Sequence, residues 1–379
     1  MNDYFLYHFV ILIPMMLYFF KINNILKNRL TGISIFIVGC FLCMGYMTGS
    51  DWVNYELVYN DKTLHIFYEP AYVALMNIGY LLDLDFFVFL IIVKIICYLL
   101  IVRSLKRYSG DQFLFVFSLF ISFFGLYLFI DNPLRNLIAI VIFVLSIQAF
   151  VDKNYKKYFL YLILAVSFHK SAVIAFLLPF VLLLPFKKLQ RTLMILMVLF
   201  VFLGITGFFV KIFTFVIGLI PFFDKFSTSY LEEGSEYIIR ESLNAKSLVF
   251  LFLFILIFIK QRIAKEKDQS LLFRFFLLYV ALFVVTVFVP IFDRFTFYYA
   301  TFFVVILGRQ AYNFKLTSRF NYYVLLILLV IINTHTMIMN KYVYLPYTNY
   351  LSYAFKEKPS FNYRVNYNHK HSPATNRNK

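Results

Sequence analysis

Charge is scarce in this chain, and negative charge most of all. Nineteen Asp and Glu stand against 36 Lys and Arg, and charged residues fill only 15% of the 379 positions. Hydrophobic residues fill 62%, with repeated apolar runs of 17 or more, which excludes a soluble domain. There are three cysteines, Cys40, Cys43 and Cys97, all inside apolar runs. That placement argues against a disulfide framework or a thiolate metal cluster and makes them small core residues. The chain has no internal repeat, no Gly-rich phosphate loop, no Cys/His metal spacing and no nucleophile elbow. Its first apolar run, Tyr4–Phe20, lacks a basic start and a small-residue cleavage site, so it reads as a span and not a removable signal.

What is abundant is aromatic: 51 Phe and 30 Tyr. Tyr suits the headgroup boundary, with its apolar body and polar tip, and Phe fills cores and faces lipid. A net charge of +17 would point to nucleic acid in a soluble protein. Here the cations fall in short loops, so they describe topology and imply no nucleic-acid partner.

Lysine-rich loops stay inside. Six of them, each with three or four Lys or Arg, alternate with polar stretches along the chain. The expected spans are Tyr4–Phe20, Leu30–Met47, Phe86–Val102, Phe113–Ile130 and Leu134–Val151, a short pair within 158–186, then Thr192–Phe208, Ser247–Ile259, Leu271–Phe288, Phe295–Leu307 and Tyr322–Met339. Ala71–Leu82 is too short to cross unaided and reads as re-entrant or interfacial. The fold class is therefore all-α: a polytopic integral membrane protein of about twelve transmembrane helices plus that short segment. Residues 1–339 form one transmembrane domain with outer loops 48–70 and 224–246. A basic tail, 340–379, ends in a disordered stretch from His371.

The short pair is informative. About 14 residues per crossing span roughly 21 Å, against a hydrocarbon core of about 30 Å. The polar turn at His169 should then lie in a recess below the outer surface. Four polar clusters meet that face: Asp51 to Glu69, Arg135, His169 to Ser171, and Asp293-Arg294. Ionisable groups at membrane depth are costly and are functional candidates. Each also has a plainer reading. Arg135 and Arg294 either snorkel to headgroups or hold phosphate through a planar, permanently charged fork. His169 is either a hydrogen-bonded structural residue or a base. Asp51 and Glu69 are either ordinary loop carboxylates or bases and hydroxyl binders. Trp52 and Tyr55 either stack on a sugar or belong to the aromatic belt. Lys94, mid-span, either pairs inside the bundle or marks a pathway.

Several motifs now resemble one family. Gly49-Ser50-Asp51-Trp52-Val53-Asn54-Tyr55-Glu56 is similar to the Gly-x-Asp-Trp/Tyr-x-x-Tyr signature of the EpsG-like, Wzy-type polysaccharide polymerases. The likeness continues through Glu69-Pro70-Ala71-Tyr72, Arg135-Asn136-Leu137-Ile138-Ala139, Phe168-His169-Lys170-Ser171-Ala172, Asp293-Arg294 ahead of Tyr298-Tyr299, and Tyr344-Leu345-Pro346-Tyr347. Three positions depart from the pattern. Asn136 stands for the usual Gln and Ala71 for Gly, and the stretch Cys43-Met44-Gly45-Tyr46 lacks an Arg often found there.

The resemblance implies a bundle like that of GT-C glycosyltransferases, and a polymerase of undecaprenyl-pyrophosphate-linked oligosaccharide repeat units. Such an enzyme acts at the outer face of the bacterial cytoplasmic membrane, in capsule, exopolysaccharide or O-antigen synthesis. It uses no metal, cofactor or nucleotide sugar. Membrane lipids surround it, and a flippase and a chain-length regulator of the same pathway are its implied partners. Arg135 and Arg294 would bind the pyrophosphate, and His169, Asp51 or Glu69 would act as base. Trp52 and Tyr55 would contact sugar. Two other classes stay open: a lipid-linked glycan flippase or other transporter, which would use Lys94, and a membrane O-acyltransferase with His169 as base.

Overall fold

The computed structural model describes residues 2–206, 208, 245–260, 267–289 and 292–371. The expected loop 224–246 lies outside the described residues up to position 244. So does the tail beyond His371.

Every regular element among the described residues is helical. The α-helices are α1 (Asn2–Phe19), α2 (Asn24–Cys43), α3 (Trp52–Asn60), α4 (Pro70–Leu81), α5 (Phe86–Ser109), α6 (Phe113–Phe120), α7 (Leu134–Val151), α8 (Tyr155–Phe168), α9 (Leu178–Leu183), α10 (Phe186–Ile205), α11 (Ala245–Lys260), α12 (Lys267–Phe288), α13 (Asp293–Gln310), α14 (Leu316–Asn340) and α15 (Phe361–His371). Among the described residues, five segments are long and apolar enough to cross a membrane: Asn24–Cys43, Phe86–Gly125, Leu134–Val151, Leu271–Phe288 and Leu316–Asn340. The chain is a multi-pass helical membrane protein.

It divides into two compact units. The first holds residues 1–173, 307–311 and 315–379; the second holds 174–306 and 312–314. The second unit is an aromatic pack. Tyr279 stacks on Phe303 at 4.1 Å, and Phe275 lies 4.3 Å from Phe302. Arg274 donates to the Leu184 carbonyl at 2.7 Å, satisfying an acceptor just past the end of α9.

The first unit gathers one set of helix ends together. The start of α1 meets the last turns of α14 through Tyr4 Oη and His335 Nδ1, 2.6 Å apart. The stretch after α2 pairs with the stretch after α14: Tyr46 N–H donates to the Thr348 carbonyl, and Tyr350 N–H to that of Met44. Gly49 N–H donates to Val343 there, and Gly49 sits at φ +85°, where a Cβ would run into the Ile130 carbonyl. Glycine is the residue this turn admits.

The turn that delivers α7 has its own cause. Past Phe120, α6 widens into two π-helical turns, Ile121–Gly125 and Tyr127–Asp131. Asn333 Nδ2 of α14 donates to the Ser122 carbonyl at 2.7 Å within the first, and Ser122 Oγ bonds Thr334 Oγ1 at 2.9 Å. Asn132 ends the run in the left-handed region at φ 71°, which Asn tolerates. Pro133 follows and cannot continue a helix, so the chain restarts as α7 with Arg135 in its first turn.

The short helix α4 does not cross. Its 12 residues reach only about 18 Å. Glu69, just before it, contacts Arg135 at the start of α7. Leu84, just after it, accepts from Tyr59 of α3, and Asp85 pairs with Lys358. Both ends of α4 therefore lie among the gathered helix ends.

Candidate functional site

Arg135 is the centre of the candidate site. It lies in the first turn of a helix, where backbone N–H groups present partial positive charge and a cation is disfavoured. A carboxylate offsets this: Arg135 Nη1 donates to Glu69 Oε2 at 2.5 Å. Glu69 occupies the N-cap of α4 yet makes no capping bond to its own helix. Its side chain goes to Arg135 instead. The guanidinium carbon also lies 4.6 Å from the centre of the Tyr68 ring and 5.9 Å from that of Tyr55. The Arg135 side chain keeps 26% exposure and the Glu69 side chain 9%.

Tyr55 is brought there by α3. Burial pushes its phenol up to about 12, and the Arg135 charge beside it pulls the other way. The hydroxyl stays protonated across the physiological range and can donate.

The next residue, Asn136, joins Arg135 to the His169 turn. Ser171 Oγ donates to Asn136 Oδ1 at 3.3 Å and lies 2.6 Å from His169 Nδ1. His169 ends α8, so this chain of contacts holds its imidazole level with the first turn of α7. If Nδ1–H donates to Ser171 and Ser171 donates to Asn136, Nε2 carries the ring's lone pair. If Nδ1 instead accepts the Ser171 N–H at 3.2 Å, Nε2 carries the proton. Two buried donors in this neighbourhood, Arg135 Nε and Asn136 Nδ2, have no hydrogen-bond partner among the described residues.

Asp51 caps no backbone N–H of α3 either. Its carboxylate accepts from Ser50 Oγ at 3.3 Å, while Ser50 Oγ also donates to Asp131 at 2.7 Å. Asp131 is buried and pairs with Lys341 at 2.7 Å.

Trp52 is not brought to Arg135. It is 3% exposed and packs against Phe87, with the Arg364 guanidinium 5.6 Å from its ring. A sugar stacking there would have to displace those groups. Arg294 starts α13 in the second unit, half-buried, beside an exposed Asp293. Lys94 is buried at 2% exposure within α5.

Sequence reasoning did not single out Tyr68, Asp131, Lys341 or Arg364. Asp131 lies four residues before Arg135 and Tyr68 precedes Glu69, so proximity to a candidate residue was a signal. Nothing in the sequence pairs position 131 with 341. A cavity of about 520 Å³ between Tyr4, His335, Leu345 and Pro346 contains none of the residues around Arg135. No three His, Cys, Asp or Glu side chains converge as metal ligands among the described residues.

No curated protein and no solved structure matches this chain. The family model described as the EpsG family matches residues 28–354, a stretch that holds every residue contacting Arg135 and the whole His169 turn. The chain belongs to the EpsG family.

Proposed function

We propose that this protein polymerises lipid-linked oligosaccharide repeat units at the outer face of the bacterial cytoplasmic membrane. Membership of the EpsG family supports a polysaccharide polymerase. The observation that carries the reading to a site is the Arg135 neighbourhood. A cation held by Glu69 there stands beside buried donors that have no partner among the described residues, and one hydrogen-bonded step from a histidine turn.

The reaction joins a hydroxyl oxygen of the acceptor's end sugar to the anomeric carbon of the donor glycan. The bond from that carbon to the undecaprenyl pyrophosphate breaks, and the pyrophosphate leaves with the electron pair. The hydroxyl proton passes to a base. Arg135 stabilises the charge that grows on the leaving group, with Arg135 Nε and Asn136 Nδ2 as further donors. Arg294, in the second unit, is kept as a separate candidate for holding phosphate. His169 takes the proton at whichever ring nitrogen its tautomer leaves unprotonated, with Ser171 and Asn136 holding the ring in place. Asp51 and Glu69 are the alternative bases. Half-buried Tyr68 offers an aromatic face and a hydroxyl to the sugar, while buried Tyr55 lies against the Arg135 guanidinium. The chain crosses the membrane about twelve times, and the gathered helix ends of the first unit face outward. The step needs no metal or nucleotide sugar. A flippase that delivers the repeat units and a chain-length regulator are its partners.

The test is a polymer ladder in a host lacking its own polymerase, with Arg135→Ala, Arg294→Ala and His169→Ala at matched protein levels. Losing one positioned donor to a developing charge costs about 10²–10³ in turnover. We expect the ladder to vanish and single lipid-linked units to build up on the outer face. Normal ladders in all three variants would remove the site. Units trapped on the inner face would turn the reading to a flippase.

A further inference from the structure

The ion pair between Arg364 and Glu56 joins positions 308 residues apart in sequence. It is bidentate: Nη1 meets Oε2 at 2.7 Å and Nη2 meets Oε1 at 2.8 Å. Both side chains are about nine-tenths buried. A third donor, Arg364 Nε, bonds the Pro359 carbonyl at 3.0 Å. Around the guanidinium stand the rings of Trp52, Phe87 and Phe361, each 5.4 to 5.6 Å away. A desolvated pair with this much geometry fixes position and register more than it adds stability.

What it fixes is α3. Glu56 and Tyr55 are neighbours on that helix, so their side chains leave it about 100° apart. Arg364 therefore grips one side of a nine-residue helix whose adjacent side lays Tyr55 against Arg135. The grip is tied down elsewhere. Asn368 Nδ2, one turn along α15, donates to the Val343 carbonyl, which also accepts from Gly49 at the foot of the α3 turn. Lys358, ahead of α15, pairs with Asp85. The family match ends at residue 354, so α15 lies beyond the matched stretch.

We propose that Arg364 is a positioning residue for the Arg135 site: by holding Glu56 it sets α3 so that Tyr55 stays against the guanidinium. This rests on the reading of Arg135 as a substrate-contacting group. Arg364 itself touches no substrate.

Trp52, the single tryptophan of the chain, lies in this contact and reports on it without any substrate. The experiment measures polymer formation, Trp52 emission and unfolding midpoint for Arg364→Lys, which keeps the charge and loses the fork. It adds the double variant E56L/R364M, which leaves no unpaired buried charge and so folds if Arg364→Lys does not. Each is combined with Tyr55→Phe. We expect polymer formation to fall in both backgrounds, by up to about 10²-fold for a shift of about 1 Å. Trp52 emission should shift to the red, with stability largely kept. Tyr55→Phe should then cost nothing further, because both changes break one chain of contacts. Wild-type ladders in both backgrounds, or an undiminished Tyr55→Phe cost, would overturn the inference. If Arg135→Ala is itself fully active, the site reading fails instead; if Arg135→Ala is dead while both Arg364 backgrounds are active, only this inference fails.

Discussion

Gly49 and Tyr55 carry the sharpest expectations for single residues. Gly49 holds a positive φ against the Ile130 carbonyl, so Gly49→Ala strains the backbone and forces a steric shift. We expect a loss of more than about 1 kcal/mol, read as a lower unfolding midpoint in detergent. An unchanged midpoint would contradict this turn. Tyr55 gives a pH dependence. Its phenol is held up at about 12, against 10.0 for an ordinary tyrosine, chiefly by burial. The folded state thus keeps the proton longer than the unfolded chain. The resulting stability is complete below about pH 10 and is lost as pH rises through about 12, an effect of at most about 2–3 kcal/mol. Other buried tyrosines behave alike, so the measurement is the difference between wild type and Tyr55→Phe over that range. Equal losses in both proteins would refute it. At this scale the sequence singled out ionisable groups as candidates, because charge inside an apolar chain is conspicuous. It did not tell that Glu69 would spend its carboxylate on Arg135, since 66 residues separate them.

The elements follow local chemistry where local chemistry is strong. Leu134–Val151 was expected as a span and is α7 to the residue, bounded by Pro133 and the Asp152–Asn154 turn. The helix expected at Leu30–Met47 instead runs Asn24–Cys43. Asn23 caps it by accepting from the Leu26 N–H, and the residues after Cys43 are drawn off to pair with 348–350. The span expected at Phe113–Ile130 keeps its extent but widens into π turns, a change hydropathy does not register. That widening yields a prediction. Asn333→Leu removes the donor to the Ser122 carbonyl and leaves a buried acceptor unsatisfied at about 1–3 kcal/mol. Thermal unfolding of the purified variant would register this; a stability equal to wild type would mean that another donor replaces Asn333.

For the molecule as a whole, the gathered helix ends make a topological statement. The start of α1 meets the end of α14 through Tyr4 and His335, and backbone pairing joins the stretches after α2 and α14. With Cys40, Cys43 and Cys97 replaced by alanine, we expect a membrane-impermeant maleimide to label Thr63→Cys and Glu357→Cys in intact cells. Lys153→Cys should react only after permeabilisation. The reverse pattern would invert the protein. Labelling of Glu357→Cys from the opposite side to Thr63→Cys would break the contact between Lys358 and Asp85.

Composition and loop charge alone determined that this chain lives in a membrane as helices, for lipid leaves backbone groups no other partner. The motifs at 49–56, 69–72, 135–139 and 168–172 were enough to point to the EpsG family. The pairs Arg135–Glu69, Asp131–Lys341 and Glu56–Arg364 were decided only in three dimensions. Hydrophobic periodicity sets which segments bury, but which charge meets which depends on helix ends 66 to 308 residues apart arriving at one place. That convergence is a property of the packed bundle, and no local rule contains it.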